Sequence, residues 1–254
     1  MAAAASLGLA GCTSSDEPGL VDAPESATCV ARASLDRVTT LGEQALVYEV
    51  NGRASPFFVD TGFWGQLERW YAGFVGTVGV GPVDAVRTYG TWIDGRGSCD
   101  SWHHAGRAFD LARLRSDGTD VVSCRYDRWS TASDAPAQLR RYWALAASLH
   151  HDFAYVLTYL YDDAHANHIH VDNGRSGGGL STLSTRSRVQ VQAVQAICAH
   201  VWDTPVPTSG RWDAATRRAS RTVLDRLEVR EDLDESTDSW RAFLRASAAR
   251  FAAD

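Results

Sequence analysis

Ser101-Trp102-His103-His104-Ala105-Gly106-Arg107-Ala108-Phe109-Asp110 is answered further along the chain by His165-Ala166-Asn167-His168-Ile169-His170-Val171-Asp172. Seven of the eight histidines (103, 104, 150, 151, 165, 168 and 170) fall within this span. The run from Ala108 to Leu114 alternates and reads as a strand, and Ala166 to Val171 reads as another. Residues two apart on a strand share a face, so His168, His170 and Asp172 project together. Polar groups on one face of a buried strand are costly unless they are paired or bound to a metal. His103 lies on the loop before the Asp110 strand, and Gly106 permits a tight approach between them. Imidazole nitrogens and carboxylate oxygens are usual zinc donors, and a catalytic site uses three of them. His103, Asp110 and His170 make such a set, with Ser101 and Asp172 as the hydrogen-bonding support that ligands need.

Outward from these motifs, Ala45–Val50 and Ala54–Val59 flank Asn51-Gly52, a strong hairpin signal. Phe63 to Val75 places Trp64, Leu67, Trp70, Tyr71 and Phe74 at helical spacing, as a core face. Gly76 to Gly81 breaks that pattern, Val83 to Trp92 reads as a strand, and Asp117-Gly118 as a turn. Ala135 to Asp152 carries one apolar face over Leu139, Tyr142, Trp143, Leu145, Ala146 and Leu149 and is the clearest helix. Phe153 to Tyr161 reads as a buried strand. After a flexible break at Ser176-Gly177-Gly178-Gly179, helices are expected over 189–202, 212–227 and 238–251. The fold class is therefore α+β: a small antiparallel sheet with helices carrying the zinc site, then a small all-helical segment. Domain bounds are placed at 28–176 and 181–254.

The 254 residues carry a net charge of -6, which argues against a nucleic-acid partner. A monomer is expected. All 25 basic residues are arginine. Residues 1–12 read as a lipoprotein-type signal, because Leu9-Ala10-Gly11-Cys12 ends a short apolar run and resembles the lipobox in which the Cys is lipidated. Residues 13–27, rich in Ser, Asp, Glu and Pro, read as a disordered tether. The expected location is extracytoplasmic, in the cell envelope, with membrane attachment only through a lipid on Cys12. The remaining cysteines, Cys29, Cys99, Cys124 and Cys198, are even in number as an exported chain favours, and four allow three pairings. Bridging Cys99 to Cys124 would clamp a loop beside the first motif, and Cys29 to Cys198 would tie the catalytic region to the C-terminal segment. Free buried thiols are the alternative.

The spacing Ser-x-His-x-x-Gly-x-Ala-x-Asp, followed by His-x-His, resembles the zinc D-alanyl-D-alanine carboxypeptidases and related peptidoglycan endopeptidases. It is most similar to the bacterial extensin-like C-terminal domain group that shares their fold. Ser101, His103, Gly106, Ala108, Asp110, His168 and His170 carry the resemblance, which spans roughly Val83 to Asp172. It implies zinc on His103, Asp110 and His170. Where the carboxypeptidases have a general-base Glu, this chain has Asn167, which cannot take a proton. The endopeptidase branch has His-x-x-His-x-His, matched by His165, His168 and His170. A neutral imidazole serves as a base near neutral pH, so His168, then His165, is expected in that role. Arg96 or Arg87 would hold a substrate carboxylate or developing oxyanion. His104, His150, His151 and His200 are expected at the surface. Val189 to Gln195 and Gly210 to Thr216 resemble the small helical peptidoglycan-binding repeat, with a helical cap on the first domain as the alternative.

Two functional classes follow. One is a zinc metallopeptidase cutting D-amino-acid bonds in peptidoglycan stem peptides. The other is a cell-wall-binding module with a structural or vestigial zinc.

Overall fold

The computed structural model describes residues 27–78, 83–97, 99–174 and 177–252. Cys12, the signal and the tether lie outside the described residues, except Ala27, which is buried in a small cluster with Trp102. In chain order come β1 (Asp36–Val38), β2 (Thr40–Leu41), β3 (Gln44–Tyr48), β4 (Arg53–Ala54), β5 (Phe57–Val59) and α1 (Thr61–Val78). There follow β6 (Ala85–Gly90), β7 (Ala108–Ser116), β8 (Thr119–Ser123), α2 (Tyr126–Trp129), α3 (Ala135–Asp152), β9 (Tyr155–Leu157) and β10 (Ile169–Asp172). The chain ends with α4 (Arg188–Val201), α5 (Ala214–Arg226) and α6 (Thr237–Ala249). The fold is α+β, with a two-stranded β1–β5 sheet and a larger sheet in the order β2-β3-β6-β7-β10-β9. The larger sheet is mixed rather than wholly antiparallel, because β3 and β6 run parallel, with α1 lying between them in sequence as a parallel pair requires.

Asn51-Gly52 does turn the chain, but the hairpin is short: Val47 pairs Ala54 and Tyr48 pairs Arg53. Pro56 has no N–H to continue the ladder, and Phe57–Val59 pairs with β1 instead. The Asp60 side chain then accepts the Phe63 N–H at 2.9 Å and starts α1. That helix buries the expected residues, Phe63, Trp64, Leu67, Trp70, Tyr71 and Phe74, and continues through Gly76 to Val78. β9 is shorter than the expected strand, since a turn donating the Tyr161 N–H to the Thr158 carbonyl follows it.

Helix α3 matches its expected bounds and is the spine of the molecule. Pro136 sits in its first turn, where a missing N–H costs nothing. Tyr142, Trp143, Leu145 and Leu149 are buried. On its other side it packs against α4 and α6, so a single hydrophobic cluster runs from Leu41 through Trp143 to Trp240, Phe243 and Phe251. Full burial of a side chain such as Phe243 contributes about 1.5–3 kcal/mol. This packing overturns the surface assignment of two histidines. His150 is wholly buried between α3 and α6, and His104 is buried within the 3-10 turn of the first motif. The described part of the chain has no helix long and apolar enough to cross a membrane.

Candidate metal centre

The antiparallel register of β7 and β10 puts His170 directly opposite Asp110. His103 arrives from a 3-10 turn, Trp102–Ala105, whose start is capped by Ser101: the Ser101 hydroxyl oxygen accepts the His103 N–H at 3.3 Å. Gly106 ends the turn at φ +67. A Cβ there would lie 2.8 Å from Leu35 Cδ2 and 3.1 Å from the Asp60 nitrogen, so only glycine lets the turn close so soon before the Asp110 strand.

The outcome is a triangle of donor atoms. His103 Nε2 is 3.1 Å from Asp110 Oδ1 and 3.1 Å from His170 Nδ1, and His170 Nδ1 is 3.0 Å from Asp110 Oδ1. These three residues form a group able to hold a metal ion. The outer partners fix how the rings face it. His103 Nδ1 meets the Thr91 carbonyl, which can only accept, so that nitrogen carries the proton and Nε2 presents its lone pair. His170 Nε2 meets Asp172 Oδ2 at 3.2 Å and donates to it, which turns the Nδ1 lone pair inward. Asp172 is itself held by the Gly174 N–H at 3.0 Å. Three lone pairs thus converge, and they require a proton or a cation among them. Zinc–nitrogen bonds of about 2.0–2.1 Å imply tetrahedral edges of about 3.3 Å, so the triangle fits with an adjustment of a few tenths of an ångström.

The electrostatics agree with that demand. Burial would raise the Asp110 carboxyl, but the imidazoles around it, His103 first and then His168 and His170, hold it well below the usual carboxylate range. Burial would lower His170, but Asp110 and Asp172 outweigh it and push the imidazole up to about 9.

Two more histidines face this centre from the link between β9 and β10. His168 Nε2 lies 3.4 Å from Asp110 Oδ1, and its Nδ1 lies 2.5 Å from Asn167 Oδ1. His165 donates from Nδ1 to Asp162 Oδ1 at 2.6 Å, which leaves its Nε2 lone pair free. Burial lowers the His165 pKa despite that carboxylate. A cavity of about 320 Å³ opens in front, lined by these histidines together with Trp102, Tyr155, Leu157 and Tyr161.

Other expected participants lie elsewhere. Arg96 is exposed on the loop before the first motif and does not line the cavity. Arg87 is bound to Glu49 at 3.2 Å, as are Arg113 at 2.9 Å and Arg125 at 3.0 Å. The cysteine pairing also differs from expectation. Cys29 is joined to Cys99, whereas Cys124 and Cys198 are free thiols buried in the core. Cys124, the residue after β8, is buried in the core, and Cys198 lies on the buried face of α4, so neither reaches the surface loop that carries Cys99. The bridge ties residues 27–30 to the loop leading into His103, beside hydrogen bonds from the Val30 N–H to the His104 carbonyl and from Trp92 Nε1 to the Val30 carbonyl.

Three supports escaped the sequence reading. The Thr91 carbonyl is a main-chain atom and leaves no residue signal. Tyr89, whose ring lies 5.8 Å from that of His168, is placed by a register shift in β6 that skips from Thr88 to Gly90; such bulges re-aim side chains beside sites. Asp162 was visible in principle, as an N-cap type of residue three before His165. No protein-family model matches the chain, no curated protein matches it, and no solved structure matches it.

Proposed function

We propose that the chain is a zinc-dependent metallopeptidase that hydrolyses D-amino-acid peptide bonds in peptidoglycan stem peptides. The observation that carries this reading is the triangle of His103, Asp110 and His170 lone pairs at the back of an open cavity. The motif resemblance supplies the substrate class. Zinc held by these three would lower the pKa of a bound water to about 7 and polarise the scissile carbonyl.

The protein's own groups supply the rest. Asp172 and the Thr91 carbonyl keep the two ligating rings in the metal-binding tautomer. Asn167 can accept no proton, so a histidine must act as base. The free Nε2 of His165, backed by Asp162, favours His165 as acceptor. His168, whose Nε2 lies beside Asp110, would stand beside the leaving group. The proton taken up by His165 is returned to the departing amine. The Cys29–Cys99 bridge supports a location outside the reducing cytoplasm, and a lipid on Cys12 would hold the protein at the membrane.

The test is metal analysis together with digestion of peptidoglycan by the same purified sample. One zinc per chain with chelator-sensitive release of stem peptides is the expected result. Stoichiometric zinc without release would replace the peptidase by a wall-binding module with a structural metal. A chain that binds no zinc would remove both.

A further inference from the structure

The link between β9 and β10, residues 158–168, carries Tyr161, His165 and His168 yet holds only one short 3-10 turn, Asp163–His165. Besides its own local turns, it is held from outside. At one end the Asp127 N–H of α2 donates to the Ala166 carbonyl at 2.9 Å. At the other end the first turns of α4 take hold. Gln192 Nε2 donates to the Leu160 carbonyl at 3.0 Å. The Arg188 guanidinium donates to the Tyr161 carbonyl at 3.2 Å and lies over the Tyr161 ring, 5.6 Å from its centre. Val189 is buried in one cluster with Tyr155 and Leu157, against which Tyr161 packs. Three apolar lining residues of the cavity, Tyr155, Leu157 and Tyr161, therefore rest on the start of α4.

Arg188 is itself held in place. Its Cγ would lie 2.8 Å from a Cβ at Gly210, which has φ +73, so its stem lies flat on the bare backbone there. That backbone is pinned by Gln195, whose amide accepts the Gly210 N–H at 2.9 Å and donates to Thr216 Oγ1 at 2.8 Å. The glutamines that suggested a binding repeat are buried and spent on internal carbonyls and hydroxyls. From Tyr161 the connection runs on to His165: the two rings meet edge to face at 5.4 Å, and Asp162, the next residue, receives the His165 Nδ1 proton.

We infer that Arg188 and Gln192 are positioning residues for the metal site, acting through Tyr161 and His165, so that the C-terminal helices form the site's outer wall. The kinetic part of this inference rests on the peptidase reading; the structural part does not.

The experiment uses the full chain loaded with zinc. Amide hydrogen exchange is followed over residues 158–166, and kcat and KM are measured on stem peptide, for Arg188→Ala, Gln192→Ala and Gln190→Ala. Gln190 is the control: it is buried on the same helix but binds the Thr182 carbonyl and the Ser184 N–H, away from the site. Arg188→Ala and Gln192→Ala should speed exchange in 158–166 by about tenfold or more, a local opening that leaves β7 and β10 protected. They should keep one zinc per chain and lower kcat rather than raise KM, since a reacting group displaced by ~1 Å costs on the order of 10²-fold in rate. Gln190→Ala should leave both readouts at the wild-type value. Unchanged exchange in both site variants would overturn the inference. So would equal loosening by Gln190→Ala, which would mean a general softening of α4. If the wild type releases no peptide, the peptidase reading fails, and the exchange data still decide whether α4 holds the wall.

Discussion

His170 and His150 are both buried, and burial pushes both imidazoles towards the neutral form. His170 nevertheless rises to about 9 while His150 falls to about 3. The difference lies in what each ring meets. His170 stands between Asp110 and Asp172, at 3.0 and 3.2 Å. His150 has no hydrogen-bond partner on either nitrogen and faces Trp240 at 6.4 Å between ring centres. The first environment demands a positive charge and the second forbids one. A buried histidine is therefore a metal-ligand candidate only when its neighbours are carboxylates and lone pairs, and burial alone carries no such meaning.

The strongest way to break the comparison is to remove the charge that defines the first environment. Asp110→Ala should abolish stoichiometric zinc binding, read by elemental analysis after dialysis against metal-free buffer, and His103→Ala should do the same. Retention of one zinc per chain in either variant would sink the ligand set. His165→Ala should keep its zinc and lose about 10²–10⁴-fold in kcat, the range for general acid–base groups. His168→Ala should lose less; the reverse order would return the base role to His168. Asp172→Asn keeps the shape and halves the clamp on His170, and should weaken zinc affinity by about 10–100-fold in a competition titration.

A smaller effect sharpens the same point. With His170 raised to about 9, the metal-free centre holds a proton at pH 7, and metal binding must displace it. Calorimetry in buffers of different ionisation heat should show about two protons released per zinc at pH ~8, one from His170 and one from the bound water, falling towards about one as the pH rises past ~9. Release of only about one proton at pH ~8 would mean that Asp110 and Asp172 do not raise His170.

The two environments differ as much in how far they can be read from sequence. The residues of the group able to hold a metal ion were legible because strand periodicity and a turn glycine fix them locally: Asp110 and His170 become cross-strand neighbours once two alternating runs pair. His150 was misassigned because it closes a helix whose outer face looks solvated until α6 covers it, and nothing in residues 135–152 announces that partner. The cysteine pairing failed for the same reason. Cys124 is near the motif in sequence but faces the core, whereas Cys29 is far in sequence and meets Cys99 at the surface. Helix bounds were close because helical spacing is a local property. Tyr89, the Thr91 carbonyl and the α4 contacts depend on register and docking, which composition does not encode.

The gentlest test concerns His150. Its folded-state pKa of about 3 lies below the usual histidine value of about 6.5. Above pH ~6.5 neither folded nor unfolded chain binds the proton, so His150 contributes no pH dependence there. Below it the unfolded chain takes up a proton that the folded chain refuses, and stability falls as the pH drops towards 3. At about 1.4 kcal/mol per pH unit, the loss by pH 5 is at most about 2 kcal/mol. His150→Leu removes the titration and both unpaired nitrogens, and it leaves the metal centre untouched. Urea midpoints at pH 7.5 and pH 5 should therefore separate, with the variant gaining on the wild type as the solution becomes more acid. Parallel profiles would mean that water or a neighbouring group satisfies the ring, and the contrast with His170 would reduce to burial shared by both.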